Sequence, residues 1–266
     1  MQFWTLDEIE QHAMADHEVG EEISPGVTVT RRRILQLGLA GAAGLLVGGP
    51  ALGRVRGALD DDPDSPLRIH QLMAELWPRA KELIGADRPD EAAYLAAVTR
   101  LLTRYTPIEP WWMGPPNENG FAMHPAARMP PVVVFDIHMQ PGATIHLHDH
   151  RHYNGVLLCN EGSYRCRNFD IVQPDGRGLD VAAGEVPPVG EDFLIRQNAD
   201  KTLVPGEFST LSRDRDNIHH VEAGPDGCKL TDVFTHFRPE ARSHRIEWDD
   251  QPLEKRGDVY RVAWRT

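Results

Sequence analysis

The feature that most constrains the fold of this chain is a run of histidines at alternating positions. Within residues 142–162, GATIHLHDHRHYNGVLLCNEG, four of them stand at every second place: His146, His148, His150 and His152. The β-branched residues before the run and the apolar residues after it favour a β-strand over a helix. Because the side chains of a strand alternate between its faces, an extended run places all four imidazoles on one face, with neighbours about 7 Å apart. This pattern predicts a metal site, and a solvated polar face is the simpler alternative.

The composition excludes some classes of partner. The chain has 266 residues, a formal net charge of -12 and 41% apolar residues, which is enough for a sizeable core. The negative charge argues against binding to nucleic acid and against adhesion to anionic lipid. Three cysteines, Cys159, Cys166 and Cys228, are too few for a disulfide framework or a zinc ribbon. We interpret them as core or free thiols, and we expect Cys159 and Cys166 to face opposite sides of their strands.

The N-terminal region carries a separate signal. Residues 30–53, TRRRILQLGLAGAAGLLVGGPALG, are arginines followed by an apolar stretch rich in Gly and Ala. The arrangement resembles the twin-arginine export signal, which directs folded proteins across a membrane. An uncleaved membrane anchor and a buried helix are the alternatives, because about 20 apolar residues can cross a bilayer. We therefore expect residues 1–64 to be an export signal with an acidic linker. The implied location is periplasmic or extracellular, with membrane contact only for export or for N-terminal anchoring.

The rest of the chain changes from helical to β-type patterns. Apolar residues recur at helical spacing over residues 67–84, and Asp90 is placed to cap a second helix over residues 91–105. Residues 106–131, rich in Pro, Gly and Trp, are predicted to form a loop. Short β-type runs then follow at 132–139, 143–152, 155–160, 162–171, 192–197, 207–212, 217–222 and 228–237. Many short strands without interleaved helices predict an antiparallel sandwich or barrel, and residues 173–191 are predicted to be a mobile flap.

This β region resembles the cupin superfamily. Gly142, His148, His150 and Gly162 match the first cupin motif, a glycine, five residues, His-x-His and a glycine twelve residues later. The resemblance implies an all-β core, the cupin double-stranded β-helix or jelly-roll barrel, with the N-terminal helices packed on it. Residues 65–266 would then form a single cupin domain. Its implied parts are a helical part at 67–105, a β-barrel at 130–240 and a C-terminal extension at 241–266.

Within the cupins, the chain resembles the thiol dioxygenases. Most cupins have a glutamate ligand at the position of Gly155. Its absence, with a third histidine retained, is the pattern of the cysteamine dioxygenase, plant cysteine oxidase and cysteine dioxygenase group. The segment Asp216-Asn217-Ile218-His219 is similar to the third-ligand strand of that group. The resemblance implies a mononuclear Fe(II) site with open positions, held by His148, His150 and His219.

Other polar residues near the implied ligands are candidates for further roles. Asp232 matches the acidic residue of the cysteamine-type enzymes and is the candidate catalytic residue, which would orient a ligand or a substrate amine. His146 and His152 are candidates to support the ligands or to contact the substrate. Arg128 is a candidate to bind a substrate carboxylate.

The chain also departs from cysteine dioxygenase. Gly155 stands where the animal enzyme has the cysteine that cross-links to a tyrosine, and Phe237 or no residue replaces that tyrosine. Arg151 lies beside the ligand pair but should face away from the metal by alternation, and His220 should point to the opposite face of its strand. These departures leave the identity of the thiol open.

The leading prediction is a mononuclear non-heme iron dioxygenase that oxidises a small thiol to a sulfinate with O2. One alternative is a cupin oxygenase or isomerase that acts on a non-thiol substrate. The other is a non-catalytic cupin that binds a metal or ligand, in which His146 or His152 would close the site as a fourth ligand. The predicted partners are a small-molecule thiol and O2, with no nucleic acid, and the sequence does not indicate an oligomeric state.

Overall fold

A computed structural model of the protein describes residues 65–107, 114–175, 177–179, 190–239, 241–249, 252–253 and 257–265. All of these residues belong to one compact unit. The predicted export signal and linker at residues 1–64 lie outside these ranges, as does most of the predicted flap. None of the helices within the described ranges is long and apolar enough to span a membrane.

Within the described residues, two helices precede the sheet and pack on its outer face. They are α1 (Ile69–Gly85) and α2 (Glu91–Leu102). Helix α2 begins at the predicted cap, where the Asp90 carboxylate accepts a hydrogen bond from the backbone N–H of Ala93 at 3.0 Å. The hydroxyls of Tyr94 and Thr235 lie 2.6 Å apart in a buried contact that joins α2 to the sheet. The apolar stripes of both helices therefore cover one side of the β structure.

Nine antiparallel strands form the β structure in the part of the chain that the structure describes. They are β1 (Phe121–Met129), β2 (Val132–Met139), β3 (Thr144–Asp149), β4 (Tyr153–Val172), β5 (Asp192–Leu203), β6 (Phe208–Leu211), β7 (Ile218–His236), β8 (Ile246–Glu247) and β9 (Val259–Trp264). The strand order is β1-β2-β7-β4-β5-β9-β8, and β3 pairs with β7 while β6 pairs with β4.

The two long strands β4 and β7 pair along almost their whole length. At one end of this ladder β2 and β6 flank the pair, and at the other end β3 and β5 flank it. Register shifts near Gly162 separate the two halves of the ladder. The pair therefore contributes to both halves of a curled antiparallel sheet. This arrangement confirms the predicted all-β core of the cupin jelly-roll type with helices packed on it.

The side chains of alternate strand positions form separate apolar clusters. One cluster lies between the helices and the sheet and includes Val134, Leu158 and Val233. A second cluster, on the other face of the same strands, includes Phe135, Leu157 and Leu230. A third cluster surrounds Phe169 near β5 and β9. The second cluster fills the concave side of the sheet, and the predicted metal ligands lie at its end.

Several predicted element boundaries were wrong. The runs at 155–160 and 162–171 are one strand, β4, and those at 217–222 and 228–237 are one strand, β7, because the glycines between them form irregularities and not turns. The predicted loop at 106–131 contains the edge strand β1, in which a register shift accommodates Pro125. The strand prediction at 132–139 was confirmed as β2.

The prediction that Cys159 and Cys166 face opposite sides of their strands was also wrong. Cys159 and Cys166 belong to the same apolar cluster, because the register shifts between them change the alternation of side chains along β4. All three cysteines are buried free thiols. Their interpretation as core or free thiols is confirmed.

We expect Gly162→Ala to destabilise the fold much more than Gly142→Ala. Both glycines have a φ of +70°, so each substitution should cost about 1–2 kcal/mol for the left-handed conformation. A Cβ at position 162 would also lie 2.1 Å from the carbonyl oxygen of Gly227, whereas a Cβ at position 142 meets no atom within 4 Å. The Gly162 variant should therefore lose about 4 kcal/mol or more in chemical denaturation. Equal losses in the Gly162 and Gly142 variants would contradict the close approach of Gly162 to the Gly227 carbonyl oxygen.

Candidate metal centre

Two of the three predicted ligands are paired across neighbouring strands. His148 near the end of β3 lies opposite His219 near the start of β7. Their neighbours Leu147 and Ile218 point the other way, into the third apolar cluster. The two imidazoles therefore face the concave side of the sheet, where their Nε2 atoms are 3.0 Å apart.

The third histidine joins them from beyond the strand. His150 follows the end of β3, and its backbone N–H donates to the carbonyl oxygen of Asn217 at 2.6 Å. This bond directs the side chain inward, so the Nε2 atom of His150 lies 3.1 Å from that of His148. Candidate ligand atoms of all three histidines lie within 4.8 Å of one another, and the residues are 5%, 0% and 2% exposed for His148, His150 and His219.

The hydrogen bonding of His148 identifies its tautomer. Its Nδ1 atom lies 2.7 Å from the carbonyl oxygen of His146, which can only accept a hydrogen bond. Nδ1 therefore carries the proton, and Nε2 of the neutral ring presents a lone pair. The Nε2 atoms of both other histidines approach this one lone pair. One lone pair accommodates one good donor, whereas a cation placed between the three nitrogens would satisfy all of them.

Electrostatics keeps the three imidazoles uncharged. Burial lowers the pKa of His148 below its ordinary value. Burial lowers the pKa values of His150 and His219 much further, and the neighbouring imidazoles contribute in the same direction. Neutral imidazole is the form that binds a metal ion, so protons do not compete for these groups near neutral pH.

The observed distances fit a transition-metal site. Two metal–nitrogen bonds of about 2.1 Å at a right angle end on nitrogens about 3.0 Å apart. The measured separations of 3.0 and 3.1 Å agree with this value. A set of three neutral imidazoles suits divalent iron, nickel or zinc. These residues therefore form a candidate site for a divalent transition metal, with further coordination positions not taken by protein ligands.

Aromatic side chains surround the site, and the sequence interpretation missed them. The ring of Tyr153 lies 4.4 Å from that of His150, and the ring of Phe234 lies 5.4 Å from it. His236 packs against Tyr153 at 5.1 Å, and burial lowers its pKa to about 4. Alternation along β7 places His236 on the same face as Phe234, which is the signal that could have identified it.

Gly155 packs closely against Phe234. A Cβ added at Gly155 would lie 3.3 Å from the Phe234 ring and 3.5 Å from the Val233 carbonyl oxygen. The first of these contacts is tight, so a larger side chain at this position would require a small shift of the Phe234 ring.

Asp232 is a buried carboxyl group on the concave face of β7. It is 4% exposed, and its Oδ1 atom has no hydrogen-bond partner. Burial raises its pKa well above the ordinary value, because the ionised form would be desolvated. In addition to burial, Asp232 contributes to the raised pKa values of Tyr153 and Cys166, so the three side chains lie near one another.

The predicted row of four histidines on one face was wrong. A register shift between Ile145 and His148 turns His146 away, and its Nε2 atom lies 2.9 Å from Asn119 Oδ1. The strand ends at Asp149, so His152 lies in a turn, where its carbonyl oxygen accepts from the backbone N–H of Phe237. Neither histidine belongs to the three-histidine group within the described residues.

The remaining candidates lie farther from the centre. Arg128 is exposed on β1 and lies close enough to His236 to contribute to its lowered pKa. His220 lies on the other face of β7, with its ring 5.6 Å from that of Trp248. Arg151 donates to Asp149 at 3.1 Å and so is directed away from the three histidines.

No family model and no curated protein matches the sequence. Among solved structures, that of KdgF from Halomonas sp. is 14% identical, with a TM-score of 0.32, and the match covers 46% of this chain and 84% of that chain. Recombinant oxalate oxidase in complex with glycolate is 15% identical, with coverages of 50% and 60% and a TM-score of 0.34. The Schizosaccharomyces pombe Cnp3 cupin domain is 9% identical, with coverages of 44% and 64% and a TM-score of 0.31. The last two matches span less than two thirds of those chains. The strand order and register of the sheet define the fold.

We expect the purified protein to bind about one equivalent of a divalent transition metal, and His219→Ala to abolish the binding. The substitution removes one of three converging nitrogens, whereas His152→Ala changes a turn residue outside the group and should leave binding intact. Metal analysis after anaerobic purification measures the stoichiometry for both variants and the wild type. Full metal occupancy in the His219 variant would show that the ligands are assigned wrongly.

Proposed function

We propose that this protein is a mononuclear non-heme iron dioxygenase that oxidises a small thiol to a sulfinate. The balanced reaction is RSH + O2 → RSO2⁻ + H⁺, in which the sulfur supplies all the electrons that reduce O2. The observation that carries the proposal is the centre of three buried, neutral imidazoles without a carboxylate ligand. Such a centre keeps the full double charge of the metal, which favours binding of an anionic thiolate.

His148, His150 and His219 would hold the metal, for which we propose Fe(II). When bound, Fe(II) would supply coordination positions for the substrate sulfur and for O2. The residues around it have separate tasks. The bond from His148 Nδ1 to the His146 carbonyl oxygen fixes the orientation of the ring, and it leaves Nε2 directed at the metal position.

The aromatic side chains support the same chemistry by excluding water. Tyr153 and Phe234 pack against the His150 ring and against each other, with their ring centroids 5.2 Å apart. Low polarity around the site strengthens the attraction between a metal ion and a thiolate. Phe234 also packs closely on Gly155, which carries no side chain that could bind the metal.

Asp232 is proposed to select an amine-bearing substrate. A buried carboxyl group is costly to ionise when one of its oxygens has no hydrogen-bond partner, as is the case for Asp232 Oδ1, and burial raises the pKa of the group. A substrate ammonium group next to it would stabilise the carboxylate form and would form a charge-assisted hydrogen bond. A thiol without an amine gains nothing from this residue. We therefore propose an amine-bearing thiol, such as cysteamine or an N-terminal cysteine, as the preferred substrate over a thiol without an amine.

Thiols should bind directly at the centre and accelerate oxygen uptake. We expect the anaerobic addition of cysteamine to change the absorption spectrum of the iron-loaded protein. Oxygen consumption should then proceed without a 2-oxo acid and yield one sulfinate per O2. If none of a panel of small thiols changes the spectrum or speeds oxygen uptake, the dioxygenase proposal fails while the metal centre stands.

Asp232→Asn tests the substrate selection separately. The amide keeps the size of the side chain but cannot become a counter-ion, so kcat/KM for cysteamine should fall about tenfold or more. The rate with 3-mercaptopropionate, which has no amine, should change much less. Equal losses with both thiols would indicate that Asp232 supports the fold or the metal and does not recognise the amine.

We also propose export by the twin-arginine route. The proposal rests on Arg31 and Arg32 ahead of the Gly- and Ala-rich run at residues 34–53. Because this route carries folded proteins, the metal would be loaded before export.

A folded reporter joined after residue 60 should cross the membrane, and replacement of Arg31 and Arg32 by lysine should stop it. The two lysines keep the positive charge, so they test the twin-arginine signal and not charge alone. The measurement is the distribution of the reporter between cellular fractions. Export that survives the double replacement would point to another route or to a membrane anchor.

A further inference from the structure

The C-terminal extension forms an additional strand-like partner for β3. We call residues 241–249 the C-terminal strap. Arg245 pairs with His148 in an isolated antiparallel bridge, and the backbone N–H of Asp149 donates to the carbonyl oxygen of His244 at 3.2 Å. Buried Ala241 and Ile246 hold the strap against the rest of the fold. The strap thus lies along the edge of β3 opposite its pairing with β7.

Asp149, which lies between the candidate ligands His148 and His150, connects this segment to the strap. Its carboxylate is 2% exposed, and its Oδ1 atom accepts the backbone N–H of His244 at 2.5 Å. Its Oδ2 atom accepts from Arg151 Nε at 3.1 Å. The His244 ring lies against both groups, with Nδ1 at 3.2 Å from Asp149 Oδ1 and 3.1 Å from Arg151 Nη2. The strap thereby supplies the partners of one oxygen of a buried carboxylate, and Arg151 supplies the partner of the other.

Tyr153 provides a second connection between the strap and a ligand. Its hydroxyl is hydrogen-bonded to Ser243 Oγ and lies 3.4 Å from the carbonyl oxygen of Asp149. Its ring packs against His150 at 4.4 Å. Displacement of the strap would therefore release the Tyr153 ring, which packs on His150. It would also release the backbone of Asp149, which lies between His148 and His150.

We propose that the C-terminal strap positions the metal ligands, with Asp149 and Tyr153 as the positioning residues. This inference rests on the metal centre of the proposed function and not on the thiol substrate. His148 and His150 flank Asp149, so a change in its backbone position moves both imidazoles together. Ligand atoms need placement to within about 0.5 Å, and supporting contacts of this kind typically change metal affinity about 10- to 100-fold.

The test compares two buried aspartates in the full-length protein, with Co²⁺ as a spectroscopic probe. Asp149→Asn keeps an acceptor for His244 but loses the charge that holds Arg151. Asp136→Asn is the matched control, because Asp136 is 5% exposed and accepts from Thr231 Oγ1 at 2.9 Å on β2, away from the strap. The measurements are the Co²⁺ dissociation constant, the visible absorption spectrum of the Co²⁺ form, and the thermal unfolding of the metal-free protein.

We expect Asp149→Asn to weaken Co²⁺ binding about 10- to 100-fold and to shift the visible absorption bands. Asp136→Asn should leave both unchanged, whatever it does to the unfolding temperature. Ser243→Ala is a milder second variant that removes only the partner of the Tyr153 hydroxyl. It should also weaken binding, and Tyr153→Phe should add little to its effect because both remove the same contact.

The outcomes distinguish failure of the positioning role from failure of the metal centre. Unchanged Co²⁺ affinity and spectrum in both Asp149→Asn and Ser243→Ala would overturn the positioning role. So would equal weakening in Asp149→Asn and Asp136→Asn, since that would indicate a general loss of stability. If the wild-type protein binds no Co²⁺, the metal centre itself fails, and the positioning role fails with it.

Discussion

The pairing of β4 with β7 determines where every group of the centre lies. Because the two long strands stay in register on both sides of the irregularity at Gly162, they contribute to both halves of the curled sheet. His219 is carried at one end of this ladder and Phe234 at the other. Their side chains reach the same concave space only because the sheet curls between them. The position of the centre is thus a property of the long-range pairing and not of any single segment.

Burial is the second constraint, and it explains the charge of the site. Three imidazoles placed together away from water cannot all be protonated, because each proton would add a desolvated like charge beside the others. The fold therefore holds three neutral imidazole nitrogens close together. A bound cation would offset the free-energy cost of burying these polar groups side by side. Burial acts in the same way on Asp232, whose pKa it raises well above the ordinary value. A polar site with so little fixed charge depends on its ligand to supply the charge.

The sequence predicted the elements of the fold better than the details of the centre. The helices, the β2 strand and an antiparallel sandwich or barrel follow from local patterns of apolar residues, whereas the jelly-roll arrangement was implied by the resemblance to the cupins. The alternating histidines indicated the ligand segment, but the irregularity after Ile145 and the end of β3 at Asp149 removed two of the four from its face. A one-residue irregularity reverses alternation and leaves no periodic signal of its own. Tyr153, Phe234 and the strap depend on contacts between distant segments, which no local pattern contains.

The packing around Gly155 links the aromatic side chains to the candidate ligands. The sequence resembles the cupin motif but has glycine at position 155, where that motif has a glutamate. In the structure a Cβ at position 155 would lie 3.3 Å from the Phe234 ring, and the same ring packs on His150. A carboxylate side chain at position 155 would therefore have to shift a ring that contacts a candidate ligand. Phe234 thus couples the residue at position 155 to the three histidines, and a replacement of Gly155 would change the surroundings of His150 as well as add a side chain.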